Sequence, residues 1–170
     1  IRSLQHTAAL CEQLPQAQAL ISIADREADM YELFVEALRL QGEQAGRFHV
    51  LVRAQHDRQL EDEQNRLWDH LAEQPACVCW SLELPAPKGL HSRQVRHVEA
   101  LWQSVTLAVP AHQKKHHGHE QPITLTAIIV REPMPPPGQS ALEWVLLTTW
   151  PVNCASEAQR VVRWYARRWQ

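Results

Sequence analysis

The apolar positions of this 170-residue chain follow two rhythms, one close to the helical repeat and one of two residues. Leu4, Ala8, Leu10, Cys11 and Leu14 predict a connecting helix over the first twenty residues, broken at Pro15. A short apolar run from Leu20 to Ala24 predicts a buried strand that stops at Asp25. Met30, Leu33, Phe34, Ala37 and Leu38 then share one face of a second helix. Phe48 to Arg53 is a compact apolar run, read as the last strand of a parallel core. Leu67, Trp68 and Leu71 stand at helical spacing within a short helical patch over Leu60 to Gln74.

Beyond that patch the period shortens. Cys77 to Leu84, Ser104 to Val109, Ile123 to Arg131 and Leu142 to Thr149 predict strands. The joints are Pro85-Ala-Pro87-Lys-Gly89, the His-rich stretch after Pro110, and Pro133 to Gly138. Ser156 with Gln159 three residues on predicts a capping box for a last helix. On that helix Val161, Tyr165 and Arg168 share a face. The pattern is α/β, with a mainly antiparallel strand meander inserted between two α/β pieces. The predicted boundaries are 1–55, 56–152 and 153–170.

Composition changes little. The length suffices for one domain with its own core, and 45% hydrophobic with 21% charged residues is ordinary for a soluble protein. No apolar stretch approaches the roughly 18 residues of a membrane span, and no charged-then-apolar leader argues for secretion. Cys11, Cys77, Cys79 and Cys154 lack zinc spacing; Cys77-Val-Cys79, read as alternating faces of a strand, suggests core and surface fillers in a reducing cytosol. A net charge of −2 argues against an autonomous DNA binder, since phosphate contacts need a basic surface. The last helix offsets this locally, with Arg160, Arg163, Arg167 and Arg168 against Glu157 alone. It predicts a surface for a DNA backbone, or a basic helix end favoured by the helix dipole.

Asp25 carries the clearest chemistry. A carboxylate at the carboxyl end of a buried strand sits where open α/β sheets bind ligands, and its oxygens suit Mg²⁺ or Mn²⁺. The plain alternative is a helix cap, with Asp29 as a solvated first-turn acid.

The stretch Ala24-Asp25-Arg26-Glu27-Ala28-Asp29-Met30-Tyr31 resembles the signature around the second catalytic aspartate of DDE transposases of the Tn-five type, in the IS-four group of bacterial insertion sequences. Tyr165-Ala-Arg-Arg168-Trp169-Gln170 resembles the start of a second family pattern: Tyr, two residues, Arg, three residues, catalytic Glu. The resemblance implies a partial ribonuclease H-like core interrupted by a β-rich insertion. It also implies metal-dependent cleavage and transfer of DNA strands with two Mg²⁺ or Mn²⁺ ions. Implied partners are transposon-end DNA, target DNA and a second copy of the protein in a synaptic dimer, within the bacterial cytoplasm and nucleoid.

Residue by residue, the resemblance makes Asp25 a catalytic metal ligand. It gives Arg53, Tyr165 and Arg168 the DNA backbone near the cut, and Trp144 and Trp169 a flipped base. Trp144 lies 21 residues before Tyr165, matching a family tryptophan that enters the DNA end. The plain alternatives are a strand-end arginine for Arg53, a strand tryptophan in the insertion core for Trp144, and core positions for Tyr165 and Trp169. His56 follows Arg53 toward the same region, or is simply an exposed loop residue.

The chain departs from the family in its acids. The expected Glu falls two residues beyond Gln170, and nothing before Ile21 reads as the strand of the first aspartate. The sequence therefore predicts a fragment, inactive alone, whose Leu20–Ala24 strand keeps an exposed edge. Two other readings stand beside it: a non-catalytic DNA-end-binding or regulatory remnant, and an unrelated metal-dependent α/β phosphohydrolase. His112, His116, His117 and His119 form a loop cluster predicted to bind nickel or zinc only adventitiously.

Overall fold

The structure, a computed structural model, describes residues 2–61, 65–85, 93–111, 113 and 121–168. Helix α1 (Arg2–Gln13) leads to strand β1 (Leu20–Ala24), a 3₁₀ turn (Arg26–Ala28), helix α2 (Tyr31–Glu43) and strand β2 (Phe48–Arg53). Helix α3 (Leu67–Ala72) precedes strands β3 (Val78–Leu84), β4 (Gln94–Leu107), β5 (Ile123–Arg131) and β6 (Glu143–Thr148). Helix α4 (Ala155–Arg167) ends the described chain.

The six strands form one curled mixed sheet in the order β1-β2-β6-β5-β4-β3. β1 and β2 are parallel, Leu20 opposite Phe48 and Ala24 opposite Val52, so both strands end at the same edge. β3 to β6 run as an antiparallel meander that joins the first pair through β6, with Leu51 opposite Thr148. The predicted insertion thus extends the sheet of the first segment. β1 stands at the end of the order with β2 as its partner, as the sequence predicts.

Each face of the sheet buries its own core. On one, Leu4, Ala8, Phe34, Ala37, Leu67 and Leu71 of α1, α2 and α3 pack on Val50, Val52, Ala127 and Leu147. On the other, Val161, Val162, Tyr165 and Ala166 of α4 pack on Leu51, Leu82, Ile128, Trp144 and Leu146. Alternation along the strands assigns the site residues to the second face. Ile21 and Ile23 pack into the α4 core, so Asp25 continues their parity; Arg53 continues that of Leu51.

Several expectations need correction. Helix α2 starts at Tyr31 and buries Tyr31, Leu33, Phe34, Ala37 and Leu40, so Met30 is its exposed N-cap. Leu10 and Leu14 are exposed, and α1 buries Leu4, Ala8 and Cys11 instead. The patch over Leu60 to Gln74 shrinks to α3, because Gln59 and Leu60 make strand-like bridges to Arg66 and Leu107. β4 begins ten residues before the predicted Ser104: the inward position Arg96 is polar and breaks the apolar alternation. That guanidinium pairs with buried Glu132 and also bonds Gln139 and the Ser140 carbonyl, tying β4 to the connection between β5 and β6. The α4 N-cap is Cys154 rather than Ser156, with Glu157 accepting from the Asn153 N–H at 2.7 Å. Cys77 and Cys79 are both exposed, since residues two apart share a face.

Candidate functional site

Four side chains named from the sequence meet at the edge where β1 and β2 end. Asp25 leaves β1 with extended backbone and caps the 3₁₀ turn, its Oδ1 accepting the Arg26 N–H at 2.9 Å. The Tyr165 hydroxyl donates to the same oxygen at 3.1 Å, and Arg168 Nη1 donates to Oδ2 at 2.9 Å. Arg168 Nη2 also lies 3.7 Å from Glu27 Oε1. Arg53 closes β2 beside the Tyr165 phenol, and its Nη2 donates to the Glu143 carbonyl at 3.2 Å. Capping and site membership therefore coexist in Asp25.

The electrostatics follow from these contacts. Burial pushes the Asp25 carboxyl up. The Arg26 N–H, the Tyr165 hydroxyl and the Arg168 and Arg53 guanidiniums outweigh that, and its pKa falls below the ordinary 3.8. Burial, then the Asp25 charge and the bond to it, push the Tyr165 phenol up to about 12 against a smaller opposing pull from Arg53. The phenol is therefore a hydrogen-bond donor at neutral pH, next to two fixed cations and one anion.

Tyr165 has no exposed surface, and its ring meets Trp144 edge-on at 4.9 Å and 74°. Trp144 is only 7% exposed and sits in the core beneath α4. In this arrangement its work is packing: it supports the ring whose hydroxyl reaches Asp25, and little of the indole is open to a base. Trp169 lies outside the described residues, as do His112, His116, His117 and His119. His56 is exposed in the loop after β2.

Asp29 is not the solvated acid expected. Its side chain is fully buried and accepts from the N–H groups of Gln55 (2.7 Å) and His56 (2.8 Å) and from Arg58 Nε and Nη2 (3.1 and 2.6 Å). The Arg58 guanidinium lies 5.9 Å from the centre of the Phe34 ring. One carboxylate thus staples the turn after Asp25 to the loop after Arg53, and so fixes the distance between those two residues. The spacing of Asp29 from Asp25 gives no sign of this, because its partners lie 26 to 29 residues away.

Sequence reading also missed Arg26 and Arg131. Both line, with Arg53 and Trp68, a cleft of about 540 Å³ that opens beside the site. Position beside Asp25 was the only available signal for Arg26. Among the described residues no group of three or more His, Cys, Asp or Glu side chains comes together as a metal-binding set, and no helix is long and apolar enough to cross a membrane. No protein-family model matches the chain.

Proposed function

We propose that the chain is part of the catalytic core of a DDE transposase of the Tn-five type, acting on DNA phosphodiesters. The observation that carries this reading is the convergence of Tyr165 and Arg168 on Asp25 across 140 and 143 residues. These are the residues that the two sequence signatures select independently. The parallel β1–β2 pair with an acid at its carboxyl edge, and a meander extending the same sheet, support a partial ribonuclease H-like core over 1–55 and 153–170 with an insertion at 56–152.

Asp25 suits one ligand position for Mg²⁺ or Mn²⁺: a hard oxygen anion, 14% exposed, with three of its roughly four lone-pair directions taken by donors. Asp25 would hold one such ion, and in the complete family site a pair of them would supply activation of an oxygen nucleophile and stabilisation of the leaving oxygen. This chain's residues supply positioning. Arg53 and Arg168 hold a phosphate between fixed guanidiniums, and Tyr165, whose one O–H donates to Asp25, keeps that carboxylate in place beside them. With one of the three acids in hand, the polypeptide by itself binds DNA and does not cut it. Its partners are transposon-end and target DNA and a second copy of the whole transposase, in the bacterial cytoplasm and nucleoid.

One observation favours a second reading, a non-catalytic end-binding or regulatory remnant: both Asp25 oxygens are already satisfied by the protein's own donors. Binding to a mixed-sequence duplex across a series of salt concentrations tests the proposal. We expect affinity that falls steeply with salt, with a log–log slope smaller by roughly 2 in Arg53→Ala/Arg168→Ala. Mg²⁺ or Mn²⁺ should produce no nicking. Turnover of small phosphate esters without DNA affinity would establish the phosphohydrolase alternative instead.

A further inference from the structure

The cleft lies beside the site at the sheet edge, its apolar lining on the side of the sheet covered by α3. Ile129 and Val145 form its floor, Trp68 one wall, and Arg26, Arg53 and Arg131 stand around it. Its volume, about 540 Å³, falls within the roughly 300–1,000 Å³ of small-molecule sites.

The indole is held there by backbone, not by burial. Helix α3 anchors itself through Leu67 and Leu71, neither of which has exposed surface. The Trp68 N–H donates to Asp57 Oδ1 at 3.0 Å and the Leu67 N–H to the Arg58 carbonyl at 2.8 Å. These bonds fix the first turn of α3 to a loop that Asp29 already clamps. Trp68 is left 42% exposed on a rigid support. A large apolar face held open to solvent beside cations is what a flat, anionic ligand requires.

The guanidiniums complete the chemistry. Arg131 Nη2 donates to the Leu71 carbonyl and Arg53 Nη2 to the Glu143 carbonyl, both at 3.2 Å. Each thus retains most of its five N–H donors for another partner. Arg26 is exposed and makes no side-chain ion pair among the described residues. Three cations face Asp69 and Glu143, so the lining favours an anion. Arg53 also borders Tyr165, and the Arg26 N–H holds Asp25, so the cleft and the Asp25 site share two residues.

We propose that this cleft binds an unpaired nucleotide, with its base laid on Trp68 and its phosphate among Arg26, Arg53 and Arg131. Two sources share that chemistry, a free nucleotide and a single-stranded segment of nucleic acid, and the shared residues select the strand. A strand seated in the cleft shares Arg26 and Arg53 with the Asp25 site. A paired base presents no face to an indole, so duplex DNA does not use this subsite. The choice of a strand rests on the reading of the Asp25 site as a nucleic-acid site.

The test uses the whole chain and fluorescein-labelled (dT)₈, followed by anisotropy at low salt. Trp68→Ala should weaken (dT)₈ binding about tenfold or more, as base–aromatic stacking requires, and Trp68→Phe should restore most of it. An abasic oligomer of equal charge should bind the wild-type chain weakly and be indifferent to Trp68→Ala. Duplex binding should be the same in both proteins, which also shows that the variant is folded. Arg131→Gln should weaken (dT)₈ and the abasic oligomer alike. Unchanged (dT)₈ affinity in Trp68→Ala, with duplex binding intact, overturns the subsite and leaves the Asp25 reading standing. Thymidine monophosphate competing as well as (dT)₄ overturns the strand in favour of a free nucleotide. Absence of both duplex and (dT)₈ binding in the wild-type chain overturns both.

Discussion

Replacing Asp29 with Asn tests the staple under the site. The carboxylate is fully buried and faces four donors, two backbone N–H groups and two from Arg58, whose side chain is only 11% exposed. An amide of the same shape removes the charge and turns an NH₂ toward groups that are themselves donors. Arg58 is then a nearly buried cation without its counter-charge. Breaking a buried pair from one side costs about 3–5 kcal/mol, well above the 0–1 kcal/mol of a surface pair. With a urea slope of about 2 kcal/mol/M, the unfolding midpoint should fall by roughly 1.5–2.5 M. The double variant Asp29→Leu/Arg58→Met removes both charges and should recover the part of that loss due to Arg58, leaving the Gln55 and His56 N–H groups to account for the rest. Urea unfolding followed by circular dichroism reads all of these. A midpoint shift below about 0.5 M for Asp29→Asn, or no recovery in the double variant, would refute the argument that this ion pair holds the two loops together.

Other consequences are as direct. Because the Tyr165 pKa is raised from 10 to about 12, its contribution is complete below pH 10 and is lost as pH rises toward 12; Tyr165→Phe should flatten stability across that window. Asp25 is shifted the other way, so its contribution is present above about pH 4 and lost as pH falls through the lowered folded value; Asp25→Asn should remove that acid limb in pH-dependent melting. Glu132→Ala strands the 9%-exposed Arg96 and the Leu142 N–H and should cost about 3–5 kcal/mol in denaturant unfolding, with the loss concentrated in hydrogen-exchange protection of residues 132–142. In the folded state iodoacetamide should label Cys77, Cys79 and Cys154 and spare Cys11, which only denaturant exposes.

What could be read from the sequence was whatever rests on local period. The Leu20–Ala24 and Phe48–Arg53 strands appear with their predicted bounds because both are short apolar runs, β2 buried on two faces and the edge strand β1 half-buried along its length. The edge carboxylate, the strand-end arginine and the Tyr165/Arg168 face were legible for the same reason, since each depends on position within a single element. What escaped depends on partners distant in sequence. Arg96 occupies an inward position in β4 because the buried Glu132, just beyond β5, pairs with it, so the apolar alternation failed there. The alternative of a solvated Asp29 stayed open in the sequence because nothing near it announces Arg58. The family resemblance assigns Trp144 to the DNA end, and what no local pattern shows is that the packing of α4 on β6 puts it under Tyr165. Arg26, Trp68 and Arg131 share a cleft through the meeting of a turn, a helix and a strand, which no one-dimensional pattern records.

The sheet order has a consequence for synthesis. β2 finds its second neighbour in β6, almost a hundred residues later in the chain, and Asp25 waits for Arg168, 143 residues away. At bacterial and eukaryotic elongation rates of about 5–20 residues per second, that separation is roughly 7 to 30 s of translation. Throughout that interval the β1–β2 hairpin-less pair has two open edges and an apolar face without α4. The nascent chain is therefore most exposed to misassociation before its meander emerges, and those seconds are when a chaperone covering β2 has something to protect.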